Sequence, residues 1–174
     1  MRFKVLLGCV FITIILYSLG AIYSLENSRV EDVVLCSVED NTHYIPNSFC
    51  EFYLFNFRLT KQDLDELQSA SGIAFLFSIS NQKKKYVYLD KFIENGASVN
   101  SKSEIDGLPP LHAAILLNDK KLVEYLLSKG SDPELLDSQN KLNAYDFVML
   151  LKRNNDSINR NEVIRTLSTI DLAN

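Results

Sequence analysis

The chain has few of the residues from which catalytic and metal sites are built. It contains two histidines and three cysteines in 174 residues. None of the motifs Gly-x-Ser-x-Gly, His-Glu-x-x-His, Gly-x-Gly-x-x-Gly or Gly-x₄-Gly-Lys-Ser/Thr occurs. His43 has no visible partner that would make it a general base, and no Cys-x-x-Cys pair is present for zinc. The sequence therefore predicts a protein without catalysis, cofactor, metal or small-molecule substrate, with a hydrolase or redox protein built on His43 as the weakest alternative.

Positive charge is also scarce. Removing Arg2 and Lys4 from the 18 basic residues leaves 16, against 22 acidic residues. Lys83–Lys85 is the only run of three basic residues, and we expect it to begin a solvated helix. Nucleic-acid binding needs clustered Lys and Arg to neutralise phosphates, so this composition predicts no nucleic-acid partner.

The N-terminus is the one long apolar stretch. A short basic head, residues 1–4, precedes 21 residues without charge, Val5–Leu25, which are enough to cross a bilayer as a helix. We expect an uncleaved membrane anchor, with cleavage at Ser18-Leu19-Gly20 and a secreted or periplasmic product as the alternative. Arg2 and Lys4 favour a cytoplasmic N-terminus, which puts the remainder on the extracytoplasmic side, the periplasm in a bacterium.

Residues 26–71 differ in character from the anchor and from residues 72–174. Cys36 and Cys50 are expected to form a disulfide in an oxidising compartment, and closing their loop would stabilise the fold by roughly 3 kcal/mol in the chain-entropy model. Leu25–Asp32 is expected to be a polar tether, and the aromatic stretch after it to cover the first repeat unit. Thr60–Asp63 has the composition of a capped helix start, with Leu64 and Leu67 facing inward and Gly72 ending the helix. A further apolar helix is expected at Ile73–Asn81.

The centre of the chain carries one well-defined motif. Asp106–Ala114 reads Asp-Gly-Leu-Pro-Pro-Leu-His-Ala-Ala, and a leucine-rich stretch, Leu122–Gly130, follows it. This pattern resembles an ankyrin repeat, in which a turn glycine precedes Thr-Pro-Leu-His and a glycine ends the second of two helices. The matching motif positions are Gly107, Pro110, Leu111, His112 and Gly130. Pro109 stands where the family prefers threonine, whose hydroxyl would share a hydrogen bond with the histidine.

The same residues have a physical meaning without the family. Gly107 suits a turn that needs a positive φ, and Pro110 is tolerated at a helix start because the N–H it lacks would have no partner there. Leucines at one-turn spacing form an inward stripe, and Gly130 can end that helix in a left-handed conformation. The unit is therefore predicted to be a helix hairpin.

A 34-residue interval extends the pattern in both directions. Phe92–Asn100 matches the end of the motif one interval upstream, and Ala144–Val148 matches its beginning one interval downstream. We assign the last helix to Asn161–Ile170, with the polar run Arg153–Arg160 as an insertion that offers candidate polar contacts at the rim of a binding surface. The fold class predicted for residues 72–174 is an all-α ankyrin-repeat solenoid of about three helix hairpins, degenerate at its ends.

The resemblance also implies where a partner binds, because ankyrin partners usually touch the finger loops and the exposed side of each first helix. The candidate contact residues are Ala113, Leu116, Leu117, Phe147, Leu150, Leu151, Lys102, Glu104 and Ile105. Leucine pairs stand where the family normally shows polar residues, and apolar patches of this kind mark interaction sites. Coverage of these leucines by Phe52–Phe57 is the intramolecular alternative.

These observations favour a non-catalytic protein-binding module at the membrane. The first hypothesis is an inhibitor or immunity-type protein that captures a toxin or enzyme in the periplasm. The alternative is an adaptor that docks a periplasmic or membrane protein of the envelope. Both hypotheses require a protein partner and a surface that binds it.

Overall fold

The computed structural model describes residues 2–38 and 44–171, and no β-strand occurs among them. Its nine α-helices in these residues are α1 Arg2–Glu26, α2 Val30–Val38, α3 Asn47–Phe57, α4 Lys61–Gln68, α5 Gln82–Glu94, α6 Pro110–Leu116, α7 Lys120–Ser128, α8 Ala144–Asn154 and α9 Asn161–Asp171. A 3-10 helix, Gly72–Ser78, precedes α5. The all-helical architecture is the predicted one.

The chain divides into two compact units, residues 1–63 and 64–174. The division falls inside α4, whereas the sequence placed the start of the repeat domain at residue 72. Each unit has its own buried residues.

Helix α1 begins the first unit. Its stretch Leu6–Glu26 is long and apolar enough to cross a membrane, a property that signal sequences share. Every described residue from Leu6 to Gly20 is exposed except the half-buried Ser18. Ala21 and Leu25, near the end of the helix, are buried.

A disulfide between Cys36 and Cys50 joins α2 to α3, with 5.8 Å between the two Cα atoms. The predicted pairing is confirmed. Around it the apolar side chains of Val30, Val33 and Leu54 are fully buried. The expected polar tether is largely absent, because α2 already begins at Val30 and only residues 27–29 separate it from α1.

Arg58 links the end of α3 to the end of α1. Its guanidinium donates to the backbone carbonyls of Leu25 and Ser28, the latter at 2.8 Å, and to the Asp63 carboxylate at 2.7 Å. Arg58 and Asp63 are both buried, so each charge has its partner where water does not reach. Cationic groups are favoured at helix C-termini, where carbonyls have no partner within the helix.

The predicted capped start of α4 is confirmed. The Thr60 hydroxyl accepts from the Asp63 N–H at 3.2 Å, and the Asp63 carboxylate accepts in return from the Thr60 N–H at 3.3 Å. This reciprocal pair is a capping box with Asp as the acid. Leu64 and Leu67 point inward, as expected.

The 34-residue interval is present in the second unit as well as in the sequence. Helices α6 and α8 begin at Pro110 and Ala144, and α5 and α7 end at Glu94 and Ser128. The two ends are built alike. A glycine follows each helix, Gly96 after α5 and Gly130 after α7. The residue after each glycine donates its N–H to a carbonyl inside the preceding helix, Ala97 to Phe92 at 2.9 Å and Ser131 to Leu126 at 3.0 Å. The repeat therefore reproduces backbone geometry, including its caps.

The first half of the upstream repeat differs from expectation. In place of the predicted helix Ile73–Asn81, the structure has a shorter 3-10 helix, Gly72–Ser78. Gly72, with φ +61°, is the first residue of this 3-10 helix and does not end α4. Lys85 is buried, although the run Lys83–Lys85 was expected to be solvated. Asn81 caps α5 by accepting from the Lys84 N–H at 3.0 Å.

The core of the second unit lies between its helices. Helix α6 packs against α7, α8 and the 3-10 helix, while α9 packs against α7 and α8. The largest fully buried side chains there include Tyr88, Phe92, Leu111, Ile115, Leu122 and Leu126. This packing holds the exposed side of α6 and α8 in a fixed position.

Candidate protein-binding surface

Gly107 and Pro110 have the backbone roles that the sequence predicted. Gly107 has φ +68°, and Pro109, with ψ 152°, is the extended residue before α6. Pro110 is the first helical residue, where the N–H it lacks would have no partner within the helix. Gly130 has φ +88° after the end of α7.

His112 is a structural residue in this arrangement. It is fully buried, and its Nε2 lies 3.0 Å from the Leu142 carbonyl, so it connects α6 to the next finger. Burial lowers the pKa of His112, although its backbone contact with Leu142 opposes this shift. Its Nδ1 has no hydrogen-bond partner among the described atoms. Pro109 has no hydroxyl to offer where the family's threonine would contact the histidine.

Two finger loops, residues 103–108 and 137–142, precede α6 and α8. In each loop the first residue's N–H bonds the last residue's carbonyl, Ser103 to Leu108 at 3.1 Å and Asp137 to Leu142 at 2.9 Å. Neighbouring fingers are linked, because the Ser138 N–H donates to the Gly107 carbonyl at 2.9 Å. The fingers thus form a connected edge on the second unit.

Asp137 organises the second finger. Its buried carboxylate accepts from the N–H groups of Gln139, Asn140 and Leu142 at 2.7–2.9 Å. Burial raises the pKa of Asp137, but these three donors outweigh burial and lower it overall. The sequence motif alone did not indicate this residue. The 34-residue interval could have indicated Asp137, because it lies 34 residues after Ser103. The Ser103 hydroxyl accepts in the same way from the Ile105 N–H, at 3.1 Å.

Comparison with known proteins agrees with this geometry. The sequence model of the ankyrin repeat family matches residues 106–138. Residues 106–138 are an ankyrin repeat. Ankyrin repeat domain-containing protein 40 of Homo sapiens and that of Mus musculus are each 37% identical to the chain over 54 residues. This similarity covers 31% of the chain and 15% of either relative. Ankyrin repeats are protein-interaction modules, and the chain carries such a module.

The exposed side of the first helix of this ankyrin repeat is apolar. Leu116 and Leu117 at the end of α6 are 47% and 58% exposed, and Ala113 one turn earlier is half-buried. Ala113 lies three residues before Leu116 and four before Leu117, so it neighbours both of them on the helix surface. The candidate residues on α6 therefore form one accessible patch.

The equivalent residues on α8 are less accessible than the sequence suggested. Phe147 is only 5% exposed because its ring packs against His112, with 4.9 Å between ring centroids, so it does not belong to the surface. Leu150 and Leu151 are half-buried. Tyr145 and Met149, which the repeat register did not indicate, are exposed on α8.

The finger tip adds an apolar residue to the candidate set. Ile105 is 77% exposed, Glu104 is exposed and Lys102 is half-buried. The Glu104 N–H donates to the Ala70 carbonyl at 2.9 Å, which fixes the backbone beside Ile105. Ile105 is therefore presented on a hydrogen-bonded loop.

The part of the insertion between α8 and α9, residues 155–159, is exposed, and Arg160 joins the insertion to the end of α6. Arg160 is buried and its guanidinium donates to the Ile115 carbonyl at 2.8 Å, at the end of α6. Asn118 donates to the Asn159 carbonyl at 3.0 Å. These bonds fix the insertion beside the α6 leucines, with Ile158 exposed.

A second polar cluster, which no sequence motif indicated, connects the outer helices α5 and α7. Asp90 accepts from the Tyr125 hydroxyl at 2.9 Å and pairs with Lys129 at 2.6 Å. The Lys129 bond lowers the pKa of Asp90 most strongly, with burial opposing it. This cluster joins α5 to α7.

His43 lies outside the described residues. Among those that are described, no three His, Cys, Asp or Glu side chains come together in a way that could hold a metal ion.

Proposed function

We propose that the second unit is a protein-binding module whose contact surface is the exposed side of α6 and α8 together with the 103–108 finger. The chain acts as an inhibitor or immunity-type protein that captures a toxin or enzyme on the extracytoplasmic side. Helix α1 delivers the module to the membrane and, while it remains uncut, anchors it there.

The observation that carries this proposal is the exposure of Leu116 and Leu117 on a fixed scaffold. Burying about 100 Å² of such apolar surface on binding is worth roughly 2.5 kcal/mol, so leaving it in water is unfavourable unless a partner covers it. The α6 helix is held by His112 at its start and by Arg160 at its end. A surface fixed in this way loses little conformational entropy on binding.

The proposed location is supported by the N-terminus and the disulfide. Helix α1 is long and apolar enough to cross a membrane, and Arg2 and Lys4 favour a cytoplasmic start. The Cys36–Cys50 bond fits an oxidising compartment.

Site-specific photo-crosslinking tests the surface. A photoreactive amino acid at Leu117 in the full chain should give a crosslinked adduct in native membranes, identifiable by mass spectrometry. Leu116→Asp with Leu117→Asp should reduce co-purification of that same protein at least tenfold. Retention of the adduct partner by the double variant would contradict the proposal.

The matched control is Val87→Asp, because Val87 is also an exposed apolar helix residue, at 43%, but lies on α5. It should leave co-purification and helical circular dichroism unchanged. If the captured protein is a toxin or enzyme, adding the chain should inhibit it. Full activity in the complex would instead favour the adaptor.

A further inference from the structure

Helix α1 consists of two parts that differ in their surroundings. Residues Leu6–Leu19 are exposed apart from half-buried Ser18, whereas Ala21 and Leu25 are buried. The last turn is held by the first unit, since Arg58 donates to the Leu25 carbonyl and the Tyr53 hydroxyl donates to the Glu26 carboxylate. The end of α1 is therefore the first element of the folded unit.

The folded unit also limits how far a membrane can extend along α1. The Tyr17 hydroxyl donates to the Tyr44 carbonyl, so the backbone of the non-helical residue Tyr44 lies beside the Tyr17 side chain. Backbone groups outside a helix are not tolerated against lipid tails, where they have no water to bond. The hydrocarbon region on this side must then end near Tyr17.

This boundary leaves a short apolar segment. Val5–Leu16 is 12 residues long, about 18 Å as a helix, against roughly 30 Å of hydrocarbon. Apolar runs of this length behind a basic head are typical of cleavable export signals. The small residues Ser18 and Gly20 occupy the third and first positions before a possible cut.

We propose that the Gly20–Ala21 peptide bond is a processing site for a membrane-bound signal peptidase. Gly20 is exposed, with open space around the position of a Cβ. Hydrolysis consumes one water, leaving Gly20 as a carboxylate and Ala21 as the new amino terminus. The contacts of Ala21, Leu25 and Glu26 stay with the folded unit.

The processing site leaves the proposed binding surface unchanged and replaces a permanent anchor with a transient one. The full chain, expressed in a bacterium with a C-terminal tag, should yield a protein whose N-terminal residue is Ala21 by intact mass and terminal sequencing. That product should leave membranes on carbonate extraction.

Substitutions at one position sharpen the test. Gly20→Leu should abolish processing and keep the full-length chain in the membrane, whereas Gly20→Ala, which retains a small residue, should be cut like wild type. Gly8→Leu controls for added hydrophobicity in the same helix and should also be cut. A full-length wild-type chain in membranes, or a terminus other than Ala21, would overturn the processing site. Crosslinking at Leu117 can be measured on the full-length chain or on the processed chain. The binding-surface proposal and the processing-site proposal can therefore be contradicted independently of each other.

Discussion

The two finger loops, 103–108 and 137–142, have the same backbone frame but use different residues to maintain it. The first uses Ser103 and Gly107, and the second uses Asp137 and Lys141 at the equivalent places. Gly107 and Lys141 have nearly the same left-handed φ, +68° and +57°. The positive φ therefore belongs to the loop, since it persists when glycine is replaced.

What distinguishes Gly107 is the space beside it. A Cβ at Gly107 would lie 2.7 Å from the Ser138 Cβ, because the next finger packs directly on this residue. Lys141, by contrast, is exposed. Glycine at position 107 thus meets two separate requirements, a positive φ and the absence of a Cβ. The second requirement applies where another finger packs against the residue.

The largest expected effect is at Asp137. Asp137→Ala removes the acceptor of three backbone N–H groups and should lower the free energy of unfolding by about 4 kcal/mol. Chemical denaturation of the purified full chain, followed by circular dichroism, measures this. Ser103→Ala, at the equivalent position with weaker bonds, should lose only about 1 kcal/mol. Equal losses would show that the two loops are stabilised alike.

An intermediate effect is expected at Gly107. Gly107→Ala adds both the left-handed strain and the contact with Ser138, and should destabilise the chain by about 3 kcal/mol. Lys141→Ala is the control, because that position already carries a Cβ, and its unfolding midpoint should hardly move. A neutral Gly107→Ala would contradict the close approach of the fingers.

The smallest expected effect is an increase in stability. Lys141→Gly should relieve about 1–2 kcal/mol of left-handed strain while increasing the entropy of the unfolded chain, for a net stabilisation of about 0.5 kcal/mol. A small rise in the thermal midpoint by differential scanning fluorimetry would confirm it. A fall would mean that the Lys141 side chain contributes contacts that outweigh its strain.

Much of the repeat was predictable because its signals are local. Gly107, Pro110 and Gly130 act through their own backbone preferences, and the 34-residue interval placed the starts of α6 and α8 correctly. The 3-10 helix Gly72–Ser78 was predicted as a longer helix because its apolar run carries no periodicity that separates the two.

The candidate surface was only partly predictable from the sequence. Leu116 and Leu117 are exposed, but Phe147 is buried against His112, which lies 35 positions earlier in the chain. Arg160 was expected at a polar rim and instead bonds the Ile115 carbonyl. The repeat register locates a residue on a helix, and it does not show which distant side chain covers it.

The amino-acid sequence by itself determined the repeat unit, its period, the disulfide partners and the apolar character of α1, because each depends on residue type and spacing. Only the tertiary structure decided which apolar side chains remain in water and where along α1 the folded unit begins. Burial and hydrogen bonding depend on groups brought together from remote positions, such as Arg58 with the Leu25 carbonyl. Those contacts arise only when the helices pack.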